Sequence, residues 1–325
     1  MKKLRVAVNG AGRIGRAFIK LAHDNPNIEL VAINDLGDKS NIEYLLKYDT
    51  VYGKWNGQVK AQFLQEKDPT KLPWKALDID VVVESTGLFT DAEKAQAHIT
   101  AGAKRVVITA PAKGDVATIL MGVNDDKLST CTISSNASCT TNAASPLIAI
   151  LDEAIGVEKA ILNTTHGYTA TQALVDGPSK KGLREGRAAA QNMIPSSTGA
   201  AIAVTKAFTK LEGLFDGISI RVPVAAGSIA DITFIAKRNT TVEEVNEILR
   251  KASNDPRWTE IFAVTDEEIV SSDILGSSFG SIADLNMTRV VGGNLVKVLG
   301  WYDNEMGYTS TLLRHVLKAG ENLKK

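Results

Sequence analysis

Cysteine is nearly absent: the 325 residues hold two, Cys131 and Cys139. Two thiols cannot build the disulfide framework of a secreted scaffold, so a reducing compartment is expected, and with it a cytoplasmic location. No run of 18 apolar residues occurs, which argues against a membrane-spanning helix. The opening residues Met1-Lys2-Lys3-Leu4-Arg5-Val6-Ala7-Val8 turn straight into a strand and lack the apolar core and cleavage site of a signal peptide. An excess of either charge is also missing. Lys+Arg and Asp+Glu stand at 37 each, so no field recommends nucleic acid or an anionic membrane as partner. Repeats and low-complexity tracts are lacking, and no metal is expected. What remains is an ordinary globular composition, 44% hydrophobic and 23% charged, at a length that suggests two domains.

The first strong pattern lies at the N-terminus. Leu4 to Asn9 reads as an apolar strand, Gly10-Ala11-Gly12-Arg13-Ile14-Gly15 follows without a gap, and Arg16 to His23 has helical spacing. A second strand, Ile28 to Asn34, ends at Asp35, which lies 20 residues past Gly15. Strand, G-x-G-x-x-G, helix, strand and acid in this order form a dinucleotide-binding fingerprint. The glycines allow a tight turn and close backbone approach to a pyrophosphate at the helix N-terminus, and the acid accepts from ribose hydroxyls. A carboxylate at position 35 would repel the extra phosphate of NADP and so favours NAD.

Further α/β units follow. Asp80 to Glu84 reads as a buried strand ending in the polar turn Ser85-Thr86-Gly87, Asp91 to Ala101 as a helix, and Arg105 to Ile108 as a strand running into Thr109. Another strand is expected near Ala117 to Met121. Then comes Ser134-Ser135-Asn136-Ala137-Ser138-Cys139-Thr140-Thr141-Asn142, a lone thiol among hydroxyl and amide residues ahead of the helix-like run from Pro146. At a helix N-terminus a thiol feels the positive end of the dipole, which predicts a lowered pKa. The competing reading is a set of caps and turn formers around a buried, inert cysteine. Cys131, on an apparent strand edge, reads as structural.

In the second half the pattern turns strand-rich. Val157 to Thr165 is a strand closed by His166-Gly167-Tyr168-Thr169, and Asp176 to Asn192 is a long irregular loop of a kind that tends to be functional. Pro195-Ser196-Ser197-Thr198-Gly199-Ala200 opens another helix with a hydroxyl-rich, anion-suited start. Strands at Gly217 to Val222 and Ile229 to Ala236 precede a helix from Val242 to Ala252, with capping-box spacing at Thr240 and Glu243. Val290 to Val296, centred on Gly292-Gly293, reads as a hairpin. Few crossover helices predict a largely antiparallel sheet, and the segment from Asn304 onward predicts a closing amphipathic helix.

Taken in order, Asn9-Gly10-Ala11-Gly12-Arg13-Ile14-Gly15-Arg16, Glu84-Ser85-Thr86-Gly87, Ala110-Pro111-Ala112-Lys113, Ser135 to Asn142, His166-Gly167-Tyr168-Thr169, Pro195 to Ala201 and Trp301-Tyr302-Asp303-Asn304-Glu305-Met306-Gly307-Tyr308 resemble phosphorylating glyceraldehyde-3-phosphate dehydrogenases along essentially the whole chain. The resemblance implies an α/β fold: a Rossmann-type NAD-binding domain over 1–138, completed by a C-terminal helix 304–325, and an α+β catalytic domain over 139–303 with a largely antiparallel sheet. It implies oxidation and phosphorylation of D-glyceraldehyde 3-phosphate to 1,3-bisphosphoglycerate, a step of glycolysis and gluconeogenesis. Cys139 would be the nucleophile, passing through a thiohemiacetal and a thioester, and His166 the base. Ser138, Thr140, Thr198 and Gly199 would lie near incoming inorganic phosphate, with Thr169 and Arg221 on the substrate's own phosphate. Asn9, Gly10, Gly12, Arg13, Ile14, Asp35, Lys67, Thr109 and Asn304 would contact NAD, Asn304 through the nicotinamide carboxamide. The loop ending near Asn192 resembles one that packs at a homotetramer interface.

The chain departs from that pattern in places. Ala143 stands where many members have a second cysteine, Gly167 replaces a serine after the histidine, and Lys54 to Gln65 is shorter by roughly ten residues. Val224-Ala225-Ala226-Gly227 replaces the commoner Thr-Pro-Asn-Val after Arg221-Val222-Pro223. Glu185 aligns where some bacterial members have a phosphate-binding arginine, which leaves Arg184 and Arg187 readable as solvated loop charges. The altered stretch after Arg221 keeps a sister activity open, an erythrose-4-phosphate dehydrogenase whose thioester is hydrolysed.

Overall fold

The computed structural model describes residues 2–321 and 323. The chain divides into two compact units, Met1–Ser138 with Thr309–Lys325, and Cys139–Tyr308.

The first unit holds β1 (Leu4–Asn9), α1 (Arg13–Asp24), β2 (Ile28–Asn34), α2 (Lys39–Lys47), the short pair β3 (Tyr48–Asp49) and β4 (Gly53–Lys54), β5 (Gln62–Leu64), β6 (Val81–Glu84), α3 (Ala92–Thr100), β7 (Arg105–Ile108), β8 (Ala117–Thr118) and β9 (Ile133–Ser135). Seven strands line up as β5-β2-β1-β6-β7-β9-β8, every neighbouring pair parallel. Apart from the terminal β8 this is the doubly wound order, in which the direction of winding reverses between β1 and β6 and opens a crevice at their carboxyl ends. Both faces are covered, so the strands read as unbroken apolar runs rather than alternating ones. Successive residues of β1 serve opposite cores. Val6 and Val8 join Phe18, Ile19, Val81 and Val83, while Ala7 joins Trp74, Val82, Val106 and Ile108. Each fully buried aliphatic side chain stabilises the fold by about 1.5–3 kcal/mol. Asp91 caps α3 by accepting from the Lys94 N–H at 2.9 Å. Gly12 precedes α1 with no side-chain cap, leaving that helix's first N–H groups to other partners.

The second unit holds α4 (Cys139–Ile155), β10 (Val157–Gly167), β11 (Ile194–Ser197), α5 (Ala200–Ala207), β12 (Phe215–Val222), β13 (Ser228–Ala236), α6 (Val242–Ser253), β14 (Phe262–Thr265), β15 (Ser281–Val291) and β16 (Leu295–Tyr302). Its sheet runs β11-β12-β10-β13-β16-β15-β14. The β11/β12, β10/β13, β13/β16 and β15/β16 pairs are antiparallel, while β10/β12 and β14/β15 are parallel. Strand β13 alternates strictly, with Ser228, Ala230, Ile232, Phe234 and Ala236 buried and the intervening residues half-buried, the period-2 signature of a sheet with one covered face. Helix α4 is buried nearly all round, the mark of a core helix. Pro146 inside it offers no N–H, and the Ser145 hydroxyl donates to the Asn142 carbonyl in that turn, at 3.5 Å.

A last helix, α7 (Met306–Glu321), closes the chain, and its Leu312, Val316 and Ala319 enter the first unit's core. It starts two residues later than the reading from Asn304 had it, because Asp303 accepts from the N–H groups of both Glu305 and Met306, at 2.9 Å each. Residues 322, 324 and 325 of the expected helix lie outside the described residues. Other boundaries also shift. The strand expected to Met121 stops at Thr118, and Pro195 to Ser197 belong to β11 rather than to a helix start. The capping pair on α6 moves by one residue, Thr241 accepting from the Glu244 N–H at 3.2 Å. Helix α2 was not foreseen. Among the described residues no helix is long and apolar enough to cross a membrane.

Candidate active site

In the first unit the carboxyl ends of β1, β2 and β6 border a cleft of about 360 Å³ lined by Asn9, Gly10, Gly12, Asp35, Lys67 and Thr86 among others. The three glycines of the fingerprint have three different jobs. Gly10 sits at φ +98°, and a Cβ there would lie 2.7 Å from the Thr86 nitrogen. A Cβ on Gly15 would run into the Gly10 carbonyl oxygen, so both positions are closed by the protein's own backbone. Gly12 faces nothing within 4 Å. It is the one glycine whose missing side chain leaves room for something else, next to the uncapped start of α1. Asp35 clips the turn in place, accepting from Ala11 N–H at 2.6 Å and Gly37 N–H at 2.8 Å, and still borders the cleft. An open glycine, an uncapped helix start and a carboxylate at the end of β2 fit a dinucleotide's pyrophosphate and ribose.

The remaining residues expected on the cofactor are less uniform. Arg13 donates to Asp49 at 2.7 Å and lies over the Tyr52 ring, and the Ile14 side chain packs against the core. The Thr109 hydroxyl is 3.1 Å from that of Ser85, itself a cleft residue. Asn304 belongs to the second unit, where its Oδ1 accepts from Gly227 N–H at 2.9 Å and from the Ser228 hydroxyl at 3.1 Å. Sequence reasoning missed Leu88 and Phe89, which line the cleft, and quoted Glu84 only within a motif, with no role of its own. Glu84 carried a signal, a charged residue at the end of an otherwise apolar strand.

In the second unit Cys139 is the first residue of α4 and His166 the last but one of β10. The fold brings Sγ of Cys139 to 3.3 Å from Nε2 of His166. Parallel pairing of β10 with β12 sets His166 opposite Arg221, with Nη1 of Arg221 2.7 Å from Nδ1 of His166. The Gly167 carbonyl lies 2.6 Å from Nδ1 and 3.3 Å from the same Nη1. That oxygen can only accept and Nη1 can only donate, so Nδ1 lies between opposite partners; in the tautomer with the proton on Nδ1, bonded to Gly167, Nε2 turns its lone pair to the thiol. Burial holds His166 down at about 3, and the positive charge of Arg221 adds to the effect.

The lowered thiol pKa expected from the helix dipole is not found. Burial pushes the Cys139 thiol up, outweighing the Arg221 charge and the bonds from the Thr140 hydroxyl and N–H. Burial thus works on both partners toward their neutral forms, thiol and imidazole.

Around them, the Thr140 hydroxyl bonds to the Tyr302 hydroxyl at 2.7 Å, and Tyr302 continues to Thr164 at 2.8 Å. The Tyr302 ring lies edge-on to His166 with centroids 5.9 Å apart. Ser138 immediately precedes Cys139 in the chain. Thr169 bonds Thr171, and the Thr198 hydroxyl accepts from Ala200 N–H beside Gly199 at the start of α5. No hydrogen bond joins Thr169, Thr198 or Gly199 to the Cys139–His166 pair. In the irregular loop Arg187 pairs with Asp176 at 2.9 Å, and the buried Glu185 accepts from Ser196 at 2.5 Å. Among the described residues no cluster of His, Cys, Asp or Glu could hold a metal ion.

A Rossmann unit with an open dinucleotide cleft, joined in one chain to an α+β unit bearing a cysteine–histidine pair, defines an NAD-dependent oxidoreductase. Residues 4–92 match the model described as the glyceraldehyde 3-phosphate dehydrogenase NAD binding domain, and residues 138–304 match the C-terminal domain of the same enzyme. Curated glyceraldehyde-3-phosphate dehydrogenases are similar over nearly their whole lengths. That of Clostridium pasteurianum is 46% identical, covering 95% of this chain and 96% of its own, and that of Streptomyces coelicolor 43%, covering 98% and 99%. The chain belongs to the glyceraldehyde-3-phosphate dehydrogenase family, and its cofactor is NAD.

Proposed function

We propose that the chain oxidises D-glyceraldehyde 3-phosphate to 1,3-bisphosphoglycerate with NAD and inorganic phosphate. The observation that carries this reading is the 3.3 Å approach of Cys139 Sγ to His166 Nε2, with the half-buried Arg221 beside it. Sulfur attacks the aldehyde carbon while its proton passes to Nε2, which returns it to the new oxyanion, giving a thiohemiacetal. The neutral imidazole then takes the hydroxyl proton as the carbon loses its hydride. NAD, when bound, supplies the hydride acceptor. The thioester left on Cys139 is attacked by a phosphate oxygen; the C–S bond breaks and the acyl phosphate leaves.

Arg221 suits the substrate's phosphate, since its Nε is buried with no partner among the described residues and a charged donor left unpaired in the interior is costly. Thr169 serves the same group in this reading. Thr140, with Ser138, Thr198 and Gly199, takes the incoming phosphate, while Asn9, Gly10, Gly12, Arg13, Ile14, Asp35, Lys67, Thr109 and Asn304 serve NAD. Asn304 is suited to donate, because both bonds to its Oδ1 come from the protein. The reading includes a cytoplasmic homotetramer, supported by the free thiols and by the exposed Leu174, Val175, Leu183 and Met193 in and beside the irregular loop. Sedimentation at equilibrium tests the assembly. Steady-state NADH formation with and without inorganic phosphate tests the reaction. A rate indifferent to phosphate would overturn it in favour of hydrolysis, the erythrose 4-phosphate type of activity.

A further inference from the structure

The topological switch between β1 and β6 is bridged by side chains as well as by strands. Register places Asn9 opposite Glu84, and the Asn9 amide donates to Glu84 Oε2 at 2.6 Å. Both side chains of the Glu84–His98 pair are fully buried, with His98 Nε2 3.0 Å from the same carboxylate oxygen. The direction of every bond in this cluster follows from groups that can only donate or only accept.

One arm starts at the backbone of residue 66. Its N–H must donate, so Asn34 presents Oδ1 to it at 2.8 Å, and Asn34 Nδ2 donates to Asn9 Oδ1 at 2.7 Å. That leaves Asn9 Nδ2 to donate to Glu84. The second arm starts at Trp74, whose indole N–H is a donor only and meets His98 Nδ1 at 3.1 Å. His98 must then carry its proton on Nε2 and donate it to Glu84. Asn9 Nδ2 and His98 Nε2 lie 3.5 Å apart because both aim at one oxygen. The other oxygen, Oε1, takes the N–H of Thr86 at 2.8 Å and the Thr86 hydroxyl, whose own oxygen accepts from Leu88 N–H. Four donors therefore fill the carboxylate, and it has no acceptor role to spare.

We propose that Glu84, with His98 and Trp74 behind it, is a positioning group for the NAD cleft. Asn9, Asn34, Glu66 and Thr86 all border that cleft, and Gly10 rests against the Ser85–Thr86 backbone so closely that no side chain fits between them. By pinning the Asn9 amide and the Thr86 main chain at once, the carboxylate sets the spacing between the glycine-rich turn and the turn after β6. The His98 ring also lies edge-on to Phe89, a cleft residue, with centroids 5.9 Å apart.

Calorimetric titration with NAD, well below each variant's unfolding temperature, tests this without recourse to activity. Glu84→Gln keeps the shape but turns a donor toward donors, and should weaken NAD about tenfold. His98→Leu removes one arm and should weaken it about fivefold, whereas His98→Gln, which carries both an acceptor and a donor, should return to within about twofold of the parent. A purely structural role would lower the unfolding temperature of both His98 variants without separating their affinities. Parent-like binding by Glu84→Gln or His98→Leu overturns the proposal, as does a His98→Gln variant no better than His98→Leu. If Glu84→Gln fails to fold, the two His98 variants decide on the same terms.

Discussion

Helices α1 and α4 each begin a few residues after a strand of the chain, but their N-termini are put to opposite uses. At α1 Gly12 supplies no side-chain cap and leaves open space around it. There the partial positive charge of the helix end, about half an elementary charge, is free for an anionic ligand. At α4 the start is occupied by Cys139, where burial pushes the thiol up against the charge of Arg221 and the bonds from Thr140. A helix end is worth about 0.3–1 kcal/mol at an exposed site, a small contribution beside the desolvation of a thiolate. The first site is made of backbone and geometry, the second of side chains whose charge states depend on one another.

The largest expected effect falls on the second site alone. Cys139→Ser should cut turnover by about 10³-fold or more, since a serine hydroxyl beside a histidine held at low pKa is a far weaker nucleophile. Calorimetry with NAD should show parent-like affinity, because nothing in the first unit's cleft changes. Weak NAD binding by this variant would mean that the two sites are not separable in the way their structures suggest.

His166→Gln comes next, with kcat lower by about 10²-fold. The neutral pair also predicts a pH signature in the parent. With His166 at about 3 and the thiol pushed above its ordinary value, alkylation of Cys139 by iodoacetamide should climb steadily with pH through the alkaline range. A plateau already reached at pH 6–7 would show a thiolate–imidazolium pair instead.

How much of each site could be read from residues alone follows the same division. The glycine turn, Asp35 and the order of the first unit's strands rest on local rules of spacing and φ, and these are visible in a chain of letters. Cys139 and His166 stood out by residue type and by resemblance, but their charge states did not. Those depend first on burial and then on Arg221, which reaches His166 only through the pairing of β10 with β12, 55 residues away in sequence. The Asn9–Glu84 bond spans 75 residues and has no local signature beyond a lone acid at the end of an apolar strand. Burial is a property of the assembled core. A dipole argument made from sequence leaves it out, and for that reason the predicted thiol shift had the wrong sign.

Glycine substitutions sharpen the contrast within the first site. Gly15→Ala drives a methyl into the Gly10 carbonyl and should cost about 1–3 kcal/mol of stability, read from urea unfolding, along with NAD affinity. Gly12→Ala meets no protein atom at all. Its unfolding free energy should stay within about 0.5 kcal/mol of the parent or rise slightly, while NAD affinity falls about tenfold. Equal losses of stability in the two variants would show that the space at Gly12 is not kept for a ligand.

The last effect, absent at neutral pH, concerns a histidine outside both sites. His315 on α7 is fully buried, with Nε2 2.8 Å from the Ser134 hydroxyl and Nδ1 3.1 Å from Asn136 Oδ1. The amide oxygen accepts, so Nδ1 carries the proton and Nε2 accepts from serine; the ring is satisfied only while neutral. Burial accordingly holds His315 at about 3 against an ordinary 6.5, with the charge of Asp125 opposing. Between these two values the unfolded chain binds a proton here that the folded chain does not, so the stabilising contribution is complete above about pH 6.5 and is lost as pH falls toward 3. Each such group adds a slope of about 1.4 kcal/mol per pH unit within that window. His166 contributes a second, and a His315→Leu variant should lose one of the two while His166→Leu loses the other. Urea unfolding at several pH values between 4 and 6 would measure the slopes. If His315→Leu keeps the parent's slope, the ring is already protonated in the folded protein, and the bond to Ser134 must run from nitrogen to oxygen rather than the other way.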